Sequence, residues 1–282
     1  MFSKKFKFIS VIISIIVLLS LYNKICSHEN TSYNNIYLTS NVHATKIIAH
    51  RANYFNEPEN SLLGIKDCIN YKVDYAEIDV QETKDGVVVL MHDKNLRRLT
   101  GLNKNVDELT YKKLKSLNLR RHFFRSTTEK IPTLQQAINQ SRGKLNLIIE
   151  IKPYGNTDDL LRKVVIIMEK NHITKGSMIH SCDYSILEKV RKLDPNISTG
   201  YILSSPFTNI SYMNVNFFSV RKNLLSPRLV KTLHKSKKQI FVWTLDNKKA
   251  MIKASSLHVD GIITDTPDLL KATLKKPDKE FI

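Results

Sequence analysis

The stretch Tyr75-Ala-Glu-Ile-Asp-Val-Gln-Glu-Thr-Lys-Asp-Gly-Val-Val-Val-Leu-Met-His-Asp93 decides how this chain reads as a fold. Tyr75–Val80 is apolar or β-branched apart from Glu77 and Asp79, and Val87–His92 is a near-continuous apolar run that ends in a histidine. Both have the length and composition of strands. Only Gln81 to Gly86 lie between them, too few residues for the crossover that parallel neighbours need, and Asp85-Gly86 is a turn signal. A hairpin or bent pair is therefore expected. Side chains alternate along a strand, so Glu77 and Asp79 share one face while Ile78 and Val80 take the other. Two carboxylates on one face of a buried strand repel each other unless a cation lies between them, either a lysine or a metal ion.

Outward from this pair, strand-like runs recur at Lys46–His50, Leu145–Ile151, Ser177–Ser181, Ser198–Leu203, Phe217–Val220, Ile240–Leu245 and Gly261–Thr264. Helical stretches with start signals fall between them. Ser61 opens one that carries Leu62, Ile65 and Ile69 on a face, and Thr157 opens another with Asp158 and Asp159 at its positive end. Ser226-Pro227 and Thr266-Pro267 each set an N-cap before a proline at the first helical position. Repeated strand–helix alternation indicates an α/β fold with a parallel sheet, open or closed. With one strand assigned to the hairpin, the remaining eight can close a (β/α)8 barrel. Lys94 to Gly143 is too long for a simple connection; helical pieces around Leu109–Leu117 and Leu134–Ile138 suggest an inserted flap or small subdomain beside the site.

In Leu147-Ile-Ile-Glu-Ile-Lys-Pro153, Glu150 and Lys152 share a face near a strand end. In a barrel such ends line the catalytic mouth. Glu59, in the loop after the first strand, can reach the same place. Glu59, Glu77, Asp79 and Glu150 together form an all-oxygen donor set suited to one hard divalent cation, Mg2+ or Ca2+; zinc fits less well because no cysteine or paired-histidine spacing accompanies it. His50 and His92 each end a strand, and their natural pKa suits a general acid–base pair near neutrality. Arg51 and Lys152 add positive charge for an anionic group. Asp93 either orients His92 or begins the next loop. A metal, two histidines, an arginine and a lysine at one mouth suit phosphoryl chemistry.

The chain has 282 residues and a formal net charge of +18. Lys4, Lys5 and Lys7 precede an apolar run, Phe8–Tyr22, which Lys24 ends. As a helix this run rises about 22 Å, short of a bilayer core of roughly 30 Å. Residues 1–26 are expected to be a signal peptide or N-terminal membrane anchor, 27–44 a flexible tether, and 45–275 the catalytic domain, exported to the extracytoplasmic side. Cys26 belongs to the export segment, and Cys68 and Cys182 read as buried thiols rather than a bridge. Basic clusters at Lys112–Lys115, Arg120–Arg125 and Lys235–Lys238 come without any nucleic-acid motif. The charge instead suits anionic partners such as a membrane surface or a wall polymer.

Taken in order, Ile47-Ile-Ala-His-Arg51, Pro58-Glu-Asn60, the Glu77–Gly101 block with its His-Asp and Asn-Leu-Arg-Arg-Leu-Thr-Gly, Ile149-Glu-Ile-Lys-Pro153, Val242-Trp-Thr-Leu-Asp-Asn247 and Val259-Asp-Gly-Ile-Ile-Thr-Asp-Thr-Pro-Asp-Leu-Leu270 resemble the glycerophosphodiester phosphodiesterase family. The resemblance spans nearly all of residues 46–270 and rests on the ordered set. It implies a TIM-type barrel that hydrolyses glycerophosphodiesters to an alcohol and glycerol 3-phosphate with a divalent cation. By matching position, His50 and His92 would be the acid–base pair. Glu59, Glu77, Asp79 and Glu150 would surround the metal, Arg51 and Lys152 would bind phosphate, and Trp243 would pack against the glycerol. Attack by the substrate's neighbouring hydroxyl, through a cyclic phosphate, and direct attack by water both stay open. Two residues depart from the family pattern: Ala52 stands where glycine usually follows His-Arg, and Asp246 where asparagine is expected. If that backbone position needs a positive φ, alanine costs on the order of 1 kcal/mol. Two other readings stand beside this one: a related phosphodiesterase acting on lipid headgroups or polyglycerolphosphate polymers, and a non-catalytic binder of anionic surfaces.

Overall fold

A computed structural model describes residues 44–52, 57–121, 125–206, 210 and 213–275. Residues 1–43, which hold the expected export segment and almost all of the tether, lie outside the described residues. Among the described residues, no helix is long and apolar enough to cross a membrane.

The chain from Thr45 onward forms a parallel barrel. Its strands are β1 (Lys46–Ala49), β2 (Tyr75–Glu82), β6 (Asn146–Ile151), β7 (Met178–Ser181), β8 (Ser198–Leu203), β9 (Phe217–Arg221), β10 (Gln239–Trp243) and β11 (Gly261–Thr264). Each pairs in parallel with its neighbours, and β1 closes the sheet by pairing with both β11 and β2. β3 (Val88–Leu90) runs antiparallel to the end of β2, with Val80 opposite Leu90, so the expected hairpin is present outside the closed set of eight.

Helices cover the outer face. Ser61 caps α1 (Leu62–Tyr71) by accepting from the Gly64 N–H, and Ser226 caps α7 (Pro227–Lys235) by accepting from the Leu229 N–H. α5 (Thr157–Lys170) starts one residue earlier than its threonine suggests. Asn156 is the N-cap, accepting from the Asp159 N–H, and Leu160, Leu161, Val164, Val165 and Met168 form one buried stripe. These stripes meet the outward side chains of the strands, such as Ile78, Val80, Leu147, Ile149 and Val242, in the main core.

The insertion between β2 and β6 is less helical than expected. It holds short helices α2 (Arg97–Thr100) and α3 (Tyr111–Leu114), and then α4 (Leu134–Ser141). Between α3 and α4 lies an antiparallel pair, β4 (Asn118–Arg121) with β5 (Arg125–Lys130). The arginine-rich residues there read as a solvated basic cluster, and that hid the strand signal. Val89, Met91, Leu96, Leu99, Val106, Leu114, Leu119 and Ile131 give the insertion a core of its own. Both cysteines of the domain are free, but only Cys68 is buried. Cys182 is exposed because it falls just past the end of β7, ahead of the helix cap Asp183.

Inside the barrel, Ile48, Tyr75, Ile148, Met178, Phe217, Phe241 and Ile263 form a separate apolar cluster. Each comes from a different strand, and they fill the lumen as a floor. Gly200 on β8 makes room for this layer: a Cβ there would lie 2.1 Å from the Phe217 ring.

Candidate active site

The side chains that alternate back into the lumen are two residues further along each strand. Above Ile48 comes His50, above Tyr75 Glu77, above Ile148 Glu150, above Met178 His180, above Phe217 Ser219, above Phe241 Trp243 and above Ile263 Asp265. Because all eight strands point the same way, this second layer lies toward their C-terminal ends. The period-two pattern that makes the floor apolar thus delivers a polar ring onto it.

His50 Nδ1 lies 2.6 Å from Asp265 Oδ1. Asp265 is held in turn by Asp246, whose Oδ1 accepts from the Asp265 N–H at 2.8 Å and from the Thr264 hydroxyl at 3.1 Å. Burial alone would lower the His50 pKa, but its bond to Asp265 and the negative charge of Glu77 overcome that and raise it above the ordinary imidazole value. His92 has a matching support: its Nδ1 lies 2.8 Å from Asp93 Oδ1. Gln81 bridges to the backbone carbonyls of Met91, His92 and Asp93 and so holds the loop that presents His92. Asp93 therefore orients His92, which decides between its two expected roles.

Arg98 links this histidine to the rest of the site. Its Nε donates to Asp93 Oδ2 at 2.6 Å, while its two terminal nitrogens grip both oxygens of Glu59 at 2.6 and 2.7 Å. Burial works against ionisation of Asp93, and the hydrogen bonds from His92 and Arg98 hold its carboxyl well below the usual carboxylate range. Glu59, fully buried, also accepts from Arg51 Nη1 at 3.1 Å. The Arg51 backbone N–H donates to Glu77 Oε2 at 2.8 Å. That contact depends on the turn after β1, where Arg51 and Ala52 have φ of 49° and 56°. Ala52 therefore does occupy the left-handed conformation that glycine adopts without cost. The Ala52 N–H donates to the Glu77 carbonyl, and its own carbonyl packs against Gly64, where a Cβ would come within 2.1 Å.

Asp79 and Lys152 are paired at 2.8 Å, and Lys152 Nζ also donates to Glu150 at 2.6 Å. Asn60 Nδ2 donates to Asp79 Oδ2 at 2.8 Å. Burial opposes the Asp79 charge, yet Lys152, with His92 and Arg51, keeps its carboxyl far below the normal range. Glu150 moves the other way. Burial, reinforced by the charges of Asp79 and Glu77, raises its pKa despite Lys152. Trp243 rests on the floor cluster, half-buried, and its indole N–H donates to the Ser219 carbonyl at 2.9 Å.

All nine residues expected at the mouth thus belong to one connected region, but their engagements differ. Glu59 is taken up by two arginines, whereas Asp79 accepts from Asn60 on Oδ2 and its buried Oδ1 makes no hydrogen bond beyond its ion pair with Lys152. Glu77 Oε1 and His180 Nε2 are buried and make no hydrogen bond. One ligand atom each from Glu77, Glu150 and His180 lies within 4.8 Å of the other two. Two carboxylates and an imidazole converging at that range, with two of their ligand atoms unpartnered, fit a divalent cation. Sequence reasoning missed His180, Asp265 and Arg98 as site residues. Strand alternation could have flagged His180, which shares a face with Met178; Arg98, in the short helix α2, and Asp265, in the loop after β11, are brought back by the fold alone.

Residues 50–269 match the profile of the glycerophosphoryl diester phosphodiesterase family. A glycerophosphodiester phosphodiesterase from Caldanaerobacter subterraneus subsp. tengcongensis is 30% identical over 243 residues, covering 82% of this chain and 98% of that protein. Lysophospholipase D GDPD3 of Mus musculus is 25% identical, with 83% of each chain covered. Among solved structures, the glycerophosphodiester phosphodiesterase of Thermotoga maritima is 26% identical with a TM-score of 0.69, covering 82% of this chain and 99% of that one. An Oleispira antarctica phosphodiesterase, solved with the product sn-glycerol-3-phosphate, shares the fold at a TM-score of 0.75 and 21% identity, covering 82% and 97%. The ordered motifs, the closed barrel and the polar ring at its mouth all agree with these likenesses, and the chain belongs to the glycerophosphoryl diester phosphodiesterase family.

Proposed function

We propose that this protein hydrolyses glycerophosphodiesters to glycerol 3-phosphate and an alcohol, with His50 and His92 as its acid–base pair and one divalent cation at Glu77, Asp79 and Glu150. The observation that carries the reading is the matched support of the two histidines. Each has a carboxylate on Nδ1, Asp265 for His50 and Asp93 for His92, so that each Nε2 is the atom free to face substrate. A carboxylate behind the imidazole fixes the tautomer and stabilises the protonated ring. One histidine takes the proton of the attacking hydroxyl or water and the other gives a proton to the departing alkoxide; where the substrate's own hydroxyl attacks, water then opens the cyclic phosphate to glycerol 3-phosphate. Arg51 and Lys152 bind phosphoryl oxygens. Glu59 acts through the arginines, since Arg51 and Arg98 both bind it. Trp243 offers the half-buried edge of its ring to the glycerol. A divalent cation held by Glu77, Asp79 and Glu150 would supply positive charge to a phosphoryl oxygen.

The net charge of +18 and the N-terminal lysine-flanked apolar run support an exported enzyme working beside an anionic membrane or wall polymer. The likeness to a lysophospholipase D favours a second reading, in which the substrate is a lysolipid whose acylated glycerol keeps the phosphate while the headgroup alcohol leaves. A panel of diesters tests both. The full chain should release glycerol 3-phosphate from at least one small glycerophosphodiester. Turnover confined to lysolipid or polymer substrates would select the second reading, and no release from any of them would overturn both.

A further inference from the structure

We propose that His180 is a nitrogen ligand of the cation site, so that this enzyme prefers a first-row transition metal such as Mn2+, Co2+ or Zn2+ over Mg2+ or Ca2+. The inference rests on the metal-dependent reading above and deepens it. His180 ends the inward face of β7, 2% exposed. Its Nδ1 lies 3.0 Å from Ser219 Oγ, and the Phe217 ring packs beside it at a centroid distance of 6.2 Å. The ring is therefore clamped with Nε2 directed at the carboxylates, 3.5 Å from Glu77 Oε1. Neither atom of that pair makes a hydrogen bond.

Two arrangements suit this geometry. In the first, Nε2 carries the proton and His180 is a structural partner of Glu77; a direct hydrogen bond would then close the 3.5 Å gap toward about 2.9 Å. In the second, Nδ1–H donates to Ser219 Oγ and the Nε2 lone pair faces the space shared with Glu77 and Glu150. A hydrogen-bonded outer nitrogen and a bare inner one are the usual arrangement of a metal-bound histidine. A divalent ion selects the second, because without one the two carboxylates would draw a proton onto Nε2, and among the described residues Lys152 is the one lysine bound to either carboxylate. An imidazole nitrogen raises affinity along the series from Mn2+ toward Cu2+ and does little for Mg2+ or Ca2+, which take oxygen.

The test uses the full chain, stripped of metal and loaded with Mn2+. Pulsed electron paramagnetic resonance reads nitrogen bonded to that ion directly, and titration calorimetry gives its affinity against Mg2+. The expected result is one Mn2+ per chain with strong nitrogen-14 modulation. His180→Gln should keep its fold by circular dichroism, lose that modulation, and reduce the preference for Mn2+ over Mg2+ by at least about tenfold. Bound Mn2+ without nitrogen modulation in the unaltered protein would overturn the proposal, whatever the variant does. So would modulation that persists in His180→Gln, since it would come from another histidine. Nitrogen-ligated Mn2+ in a protein that hydrolyses no glycerophosphodiester would uphold the role of His180 while refuting the proposed reaction. Failure to bind any divalent ion would refute both.

Discussion

The two layers inside the barrel come from the same strands, two residues apart, yet they have opposite characters. The floor is seven apolar side chains that touch one another; the ring above it is two histidines, three carboxylates, a serine and a tryptophan. Nothing in the backbone separates them. The floor supplies a dry, close-packed base, so the groups above cannot relax downward or collect water from below. The ring bears the cost of holding charge in a partly desolvated space, and it does so by pairing nearly every group. Stability should therefore reside in one layer and chemistry in the next, and substitutions can separate the two.

The largest effect should come from the ring. His50→Ala should lower kcat by about 10²–10⁴, with the thermal unfolding midpoint little changed. A large loss of stability instead would mean that the two layers are not separable. In the floor the pattern reverses. Phe241→Ala removes a fully buried ring that packs 4.9 Å, centroid to centroid, from Phe217. It should cost about 3–5 kcal/mol in chemical denaturation, while molecules that stay folded retain most of their activity.

A smaller, pH-dependent effect should follow Asp265→Asn. Because Asp265 helps to raise the His50 pKa, the variant should lose its His50 proton at lower pH, and the matching limb of the pH–rate profile should move down. The stability sign follows from the same shift. A raised folded pKa gives stabilisation that is complete below the unfolded value of about 6.5 and disappears as pH rises through the folded value. The variant's stability deficit should thus be greater at low pH than at high pH; an equal deficit across that window would show that the pair does not titrate as described. The smallest effect is expected at Ala52→Gly. Relief of the positive φ is partly offset by the greater freedom of glycine in the unfolded chain, leaving a gain of about 0.5 kcal/mol. A loss of that size would mean that packing of the buried Cβ outweighs the strain.

The barrel strands were legible because a period of two with β-branched residues is a local signal, and it placed β1, β2, β6 and β11 to within a residue or two at each end. The hairpin at β2–β3 followed from loop length alone. The β4–β5 pair escaped because Asn118, Arg120 and Arg121 surround Leu119, the buried residue of β4, and Arg125–Lys130 holds no apolar side chain to mark a strand. In the site, the residues that stand next to one another in the chain were the ones recognised. His180 and Asp265 were not, because their meaning comes from strand closure. Met178 and His180 share a face in the sequence, but only the parallel register of β6 with β7, which sets Glu150 opposite His180, makes that histidine a neighbour of the carboxylates. Arg98 is similar: it sits five residues after Asp93 and thirty-nine after Glu59, and binds both.

Release of glycerol 3-phosphate from a glycerophosphodiester, followed before chelation, in excess chelator and after a divalent cation is restored, tests the central claim most directly. The polar ring is predicted to lose turnover in chelator and to recover it with the cation. Undiminished turnover in chelator would contradict the account.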